Sequence, residues 1–312
     1  MLQGIVASVL ASMLFATIYW LSTVLQPLSG EQIFGWRVLV TLPFTSALLL
    51  ARPGEAARLA AVWQRVCARP ALALLLMASA ALLGVQLWLF MWAPRQGHAL
   101  PVSLGYFLLP LTMVLTGCLC YGERLSRAQA LATLLAALGV AHEFWRAGGM
   151  SWETWVVALG YPAYFALRRR LDIPGAAGQW LDMALMLPVA LWFIGRAPAS
   201  WPLLPAHPAL WGLLPLLGVI STVALALYLS ASRRLPLGLF GLLSYVEPVL
   251  LALVALLLGE RLQPGQGPTY GLVFAAIAVL LAEGVGRVLR QPGAIRLWRR
   301  RHPRGDRPRA AA

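Results

Sequence analysis

Ten apolar runs, most of them about 20 residues long, follow one another at roughly 4–25, 33–51, 71–93, 99–121, 127–145, 152–167, 176–197, 209–230, 237–258 and 267–289. Wound into an α-helix, such a run matches the hydrocarbon thickness of a bilayer, whereas a barrel strand would alternate over about 10 residues. Backbone amides in lipid must find partners inside their own segment, so runs of this kind are helices. Composition agrees. Of 312 residues, 60% are hydrophobic and 12% charged, and mean hydropathy is +0.74. A water-soluble domain keeps its outer half polar, and this chain lacks the residues to do so. The expected fold is all-α and integral to the membrane, with ten transmembrane helices. The first run continues to Leu25 with no basic stretch ahead of it, so it reads as a retained span and not a cleaved signal.

Two of the runs are alike. Leu104 to Leu125 is interrupted by Pro110 and closed by Gly122-Glu123-Arg124-Leu125; Leu237 to Leu262 is interrupted by Pro248 and closed by Gly259-Glu260-Arg261-Leu262. The tetrads stand 137 residues apart and the prolines 138. Five spans separate the tetrads, and an odd number of crossings puts them on opposite sides of the membrane. The chain therefore reads as two inverted five-helix repeats, 1–145 and 152–289, followed by a basic tail, 290–312. Halves related in this way share a site near the midplane and can open to either side in turn, which points to transport of a small-molecule solute. The boundaries carry their own signals. Gly122 suits a left-handed cap, Ser126 to Gln129 a capping box, and Gly267-Pro268 a helix entry. A tight helix–helix turn is thus the plainer account of Glu123 and Glu260.

The formal charge is +14, and all 25 cations are arginine. Twenty fall on one side of this topology, within 52–69, 124–127, 168–170, 233–234 and 287–309; four fall on the other, and Arg37 lies inside the second run. That asymmetry places both termini in the cytoplasm of a bacterial inner membrane. The tail, with Arg299-Arg300-Arg301, is expected to lie against anionic membrane lipid, each charge contributing about 1 kcal/mol. Nucleic-acid binding would need a soluble basic domain, and none is present. Cys67, Cys118 and Cys120 form neither a disulfide framework nor a metal spacing. His98, His142, His207 and His302 are dispersed, and no nucleophile triad, phosphate loop or zinc helix occurs. No metal and no cofactor is expected.

Ionisable residues inside a membrane are costly, at about 2.5–3.5 kcal/mol for a charge at the centre, and are functional candidates by default. Arg37, Asp182 and Glu247 stand out. Glu247 lies deepest and precedes Pro248, which leaves a backbone carbonyl without its helical donor. Gln86 adds a polar group to the third run, and Trp92, Tyr106 and Tyr245 fall where they can wall a cavity. The plainer accounts are that Arg37 and Asp182 snorkel or pair structurally, and that the aromatics are core. A membrane-embedded enzyme would need clustered catalytic groups. A receptor or scaffold would have no use for charges at the midplane.

At these residues the chain resembles the EamA-type permeases of the drug/metabolite transporter superfamily, and within them the RarD subgroup. The resemblance is carried by Trp36-Arg37-Val38, Phe90-Met91-Trp92-Ala93, His98, Ser103-Leu104-Gly105-Tyr106-Phe107 with Pro110, Gly122-Glu123-Arg124, Leu187-Pro188-Val189-Ala190, and Tyr245 with Pro248. It implies ten helices in two inverted repeats and movement of small metabolites or drugs, usually outward. Where the subgroup commonly has histidine, an acid, asparagine and a small residue, this chain has Trp36, Pro101, Leu109 and Glu247. Its polar lining is therefore rearranged. On this reading Arg37 is the counter-charge in the cavity, Glu247 and Asp182 are solute-binding or proton-coupling carboxylates, and Gln86, Trp92, Tyr106 and Tyr245 complete the wall.

Overall fold

The computed structural model describes residues 2–93, 96, 98–149, 151–173, 175–196, 205–257 and 265–289. The second tetrad, 259–262, and the tail, 290–312, lie outside the described residues. Among the described residues all regular structure is helical: α1 (Leu2–Val24), α2 (Gly30–Ala51), α3 (Glu55–Ala68), α4 (Ala71–Trp92), α5 (Ala99–Tyr121), α6 (Arg127–Ala147), α7 (Trp152–Leu171), α8 (Gly175–Arg196), α9 (Leu210–Arg234), α10 (Leu237–Leu243), α11 (Val246–Leu257) and α12 (Gly267–Leu289). Six of these, α1, α2, α4, α5, α8 and α9, are long and apolar enough to cross a bilayer, and shorter apolar helices fall within α10–α11 and α12. Large apolar side chains face outward, among them Leu50, Leu74 and Leu119 at 75%, 64% and 75% exposure. On a soluble protein such a surface would aggregate; against lipid it is the expected one.

Local chemistry sets the ends. The Ser126 hydroxyl accepts from the Gln129 amide at 3.1 Å while the Gln129 side chain accepts from the Ser126 amide at 2.9 Å. This is the capping box expected at the start of α6. Ser29 and Gln32 form a second box at the start of α2. Gly122, at φ +62°, ends α5 in the left-handed cap that its sequence predicts.

Two features differ from the sequence reading. The connection 52–70 contains a helix, α3. Its apolar residues recur at helical spacing between charges, so no continuous run betrays it. Val62 on its inner face packs against Leu76, Leu171 and Ile173, and Trp63 faces outward. The ninth run is not one helix but two, parted at Ser244 and Tyr245. Pro248 has no amide hydrogen to offer the Ser244 carbonyl, and its ring crowds that carbonyl. Proline fits in the first turn of a new helix, where no donor is required, and that is where α11 places it.

The helices pack in a connected set: α2 against α8, α6 against α12, α5 against α10, α1 against α9 and α11, and α7 against α4 and α5. Small residues let backbones meet. A Cβ on Gly35 of α2 would lie 2.8 Å from the Ala190 carbonyl oxygen of α8. One on Gly105 of α5 would lie 2.9 Å from the Thr154 carbonyl oxygen of α7. The main core runs through α1, α2, α4, α5, α7, α8, α9 and α10, and a smaller one joins α5, α6, α10 and α12.

Candidate functional site

Arg37 lies two turns into α2 and is 2% exposed. Its Nε–H donates to the Ser221 hydroxyl of α9 at 3.0 Å. Its Nη1 and Nη2 are buried and have no hydrogen-bond partner among the described residues. The groups that share its electrostatic surroundings are Tyr106 of α5, Tyr161 of α7 and Glu247 of α11. Glu247 is itself 8% exposed, and none of the ion pairs among the described residues joins it to Arg37. The rings of Tyr106 and Tyr161 have centroids 6.4 Å apart, and those of Tyr161 and Tyr228 6.3 Å. Phe90, Phe165 and Phe240 pack around these tyrosines.

The energetics single out Arg37. Each buried guanidinium donor left unmet costs about 1–3 kcal/mol, and Arg168 near Asp182 leaves only its Nη1 unmet. In Arg37 two nitrogens of one side chain are idle at a depth where the charge alone is unfavourable. The cluster also combines a cation, a carboxylate and phenolic hydroxyls, all enclosed by aromatic surface. Such an arrangement can hold a small organic molecule by its polar ends while its body packs against rings.

The other sequence candidates are placed elsewhere. Asp182 of α8, 1% exposed, accepts from the Tyr164 hydroxyl at 2.9 Å and from the Ser79 hydroxyl of α4 at 3.4 Å, with Arg168 Nη1 at 3.9 Å. This is a second buried polar cluster, shared by α4, α7 and α8. Gln86 of α4 donates to the Val156 carbonyl of α7 at 2.9 Å and abuts Gly160, one residue from Tyr161. Trp92 stacks between Trp88 and His98, at 4.9 and 5.2 Å between ring centroids, and His98 Nδ1 lies 2.6 Å from Glu153. The Tyr245 hydroxyl donates to the Phe107 carbonyl of α5 at 3.0 Å, in the smaller core. Of the predicted residues, then, the structure gathers Arg37, Tyr106 and Glu247. Three further members are Tyr161, Ser221 and Tyr228. Tyr161 stands immediately before Pro162 as Glu247 stands before Pro248, and Ser221 and Tyr228 lie seven residues apart on α9. Only the first is a pattern that a search for polar groups beside prolines would find.

Glu123 of the first tetrad has a defined task. Its carboxylate accepts from the Leu237 and Gly238 amides at 2.6 and 2.7 Å, with Arg169 Nη1 at 3.6 Å. It satisfies the first amides of α10, which have no partners within that helix.

A helical bundle with an apolar outer surface around a buried polar cluster is built as an integral membrane protein. Comparison with known proteins carries this further. A transporter of Pasteurella multocida is 41% identical over 93% of this chain and 99% of its own. The chloramphenicol-sensitive protein RarD of Pseudomonas aeruginosa is 43% identical over 93% of this chain and 96% of its own. A transporter of Haemophilus influenzae is 39% identical over 91% and 95%. The chain belongs to the RarD family of membrane transporters. No family-wide sequence model matches it. A solved crystal structure, 21% identical, has the same fold, with a TM-score of 0.67 over 90% of this chain and 98% of that one.

Proposed function

We propose that this chain is an inner-membrane permease of ten spans, built from two inverted five-helix repeats, 1–145 and 152–289, that exports a small organic solute by alternating access. The spans are α1, α2, α4 to α9, the broken pair α10–α11, and α12, with both termini and the basic tail 290–312 on the cytoplasmic, anionic-lipid side. Arg37 is the counter-charge for the solute, Glu247 couples its movement to a proton, and Tyr106, Tyr161 and Tyr228 form the wall.

The observation that carries the reading is an exchange relation between the halves. Arg37 and Pro43 in α2 stand 145 residues before Asp182 and Pro188 in α8. Arg37 is bonded to Ser221 of α9, and Asp182 to Ser79 of α4. Each half's second helix thus sends a charged side chain to a serine on the third spanning helix of the other half. Phe107 and Tyr245, 138 residues apart, touch each other directly. The packing pairs exchange in the same way: α1 with α9 and α7 with α4, α2 with α9 and α8 with α4, while α2–α8 and α6–α12 map onto themselves. Two halves so related can trade conformations around a central site.

The test is a metabolite and drug panel, with chloramphenicol among its members because a relative is named for it. Accumulation is compared in cells with the chain, without it, and with Arg37→Gln. The expected result is lower accumulation of at least one solute, abolished by Arg37→Gln at equal membrane abundance. A panel that Arg37→Gln leaves untouched would remove the central cluster from transport. In parallel, cysteines placed at 123 and 260 should be labelled from opposite sides of the membrane.

A further inference from the structure

Resting on the transport reading above, we propose that the central site selects organic monocarboxylates, gripped by the idle Nη1 and Nη2 of Arg37. The argument starts from the guanidinium's geometry. With Nε–H committed to Ser221, the two remaining nitrogens form the outer edge of the fork, and both lack partners. A planar guanidinium edge matches the two oxygens of a carboxylate in parallel hydrogen bonds, a fit that a neutral amide or a hydroxyl cannot reproduce. Ser221 fixes the orientation of the fork, since it restrains the guanidinium at its inner nitrogen.

Charge narrows the class. Among the described residues Arg37 is the only cation in the cluster, and Glu247 shares its surroundings. The other ionisable groups around it are the phenols of Tyr106 on α5 and Tyr161 on α7, with Tyr228 on α9 adjoining those phenols and Glu247. One arginine balances one negative charge: with Glu247 neutral the site carries a single positive charge, which matches a monocarboxylate and leaves a dianion such as phosphate one charge in excess. A carboxylate on an apolar or aromatic body meets a matching charge and matching walls in Phe90, Phe165 and Phe240.

Glu247 competes with the solute for the same arginine. Neutralising it raises carboxylate affinity, which is a signature that a merely structural arginine would not produce.

The experiment measures binding to the purified full-length chain in lipid nanodiscs, using paired probes of one shape: benzoate and benzamide, phenylacetate and phenylacetamide, hexanoate and hexanamide. Ligand-induced thermal stabilisation is read for each, with inorganic phosphate as a further probe. At least one carboxylate should stabilise the chain while its amide and phosphate do not. Arg37→Gln should weaken that carboxylate at least about tenfold, and Glu247→Gln should tighten it severalfold. If Arg37→Gln does not assemble, Arg37→Lys replaces it; a point charge without the fork should still lose several-fold. Amides that bind as well as their acids overturn the proposal, as do carboxylates unaffected by these variants or a panel in which no carboxylate binds. Export of neutral drugs alone would leave the transport reading standing and remove this one; carboxylate binding without movement of any solute would do the reverse.

Discussion

Helix α5 and the pair α10–α11 begin from similar sequences and end differently. Each is an apolar run interrupted by a proline, Pro110 and Pro248, one residue out of register relative to the closing tetrads, yet α5 passes through its proline unbroken while the second run stops at Ser244 and restarts at Val246. Proline alone therefore does not decide the outcome. What differs is the polar company. Ahead of Pro110 stand Tyr106 and Leu109; at the equivalent places ahead of Pro248 stand Ser244 and Glu247. The Ser244 hydroxyl bonds back to the Phe240 carbonyl at 3.1 Å, which competes with helical pairing at the weak point. Glu123 independently satisfies the start of α10, so a seven-residue helix can stand alone. The broken copy is the one that brings a carboxylate to Arg37. A local departure from regular structure, confined to one half of a related pair, is the kind of place where a functional residue is to be sought.

That contrast can be attacked in three places, taken from the strongest effect to the weakest. Glu123→Ala strips two charge-assisted bonds from the start of α10 and should cost about 2–4 kcal/mol of stability. Thermal unfolding in nanodiscs reads it, and Glu123→Gln should recover part of the loss. An unchanged midpoint would mean that α10 needs no support from the first half. Next, Pro248→Ala allows α10 and α11 to fuse and swings Glu247 about 100° around the axis for each residue gained. The transport rate should fall about tenfold, whereas Pro110→Ala should change it less than about twofold. Equal losses from the two prolines would erase the contrast. Last, Tyr245→Phe removes the hydroxyl that ties the break to Phe107 and should cost about 1 kcal/mol, with transport nearly unchanged.

Most of the membrane-spanning scaffold was legible because burying apolar runs in lipid leaves the backbone so little choice. The capping residues Ser126, Gln129 and Gly122 were legible for the same reason: each supplies what a helix end lacks. Helix α3 was not, since alanines and one buried valine spaced among arginines look like a polar connection. Nor was the break at Ser244, whose short preceding helix is capped by a carboxylate arriving from residue 123. Within the site, Arg37 and Glu247 announced themselves by the cost of a charge in lipid. Tyr161, Tyr228 and Ser221 did not, because a hydroxyl can bond to its own helix and raises no alarm. Asp182 has the same intrinsic cost as Arg37. What the sequence withheld was its company: Arg168 reads as part of a cytoplasmic loop but lies in the last turn of α7, 8% exposed.

The bond from Glu123 to the head of α10 also has a direction in time. Residue 123 leaves the ribosome before residues 237 and 238 do, so the acceptor is waiting in the bilayer when the amides that need it are threaded in. A permuted gene that makes the second half first would insert α10 with those amides bare, and its nascent chain would have to stall, misinsert or recruit help until the first half arrived.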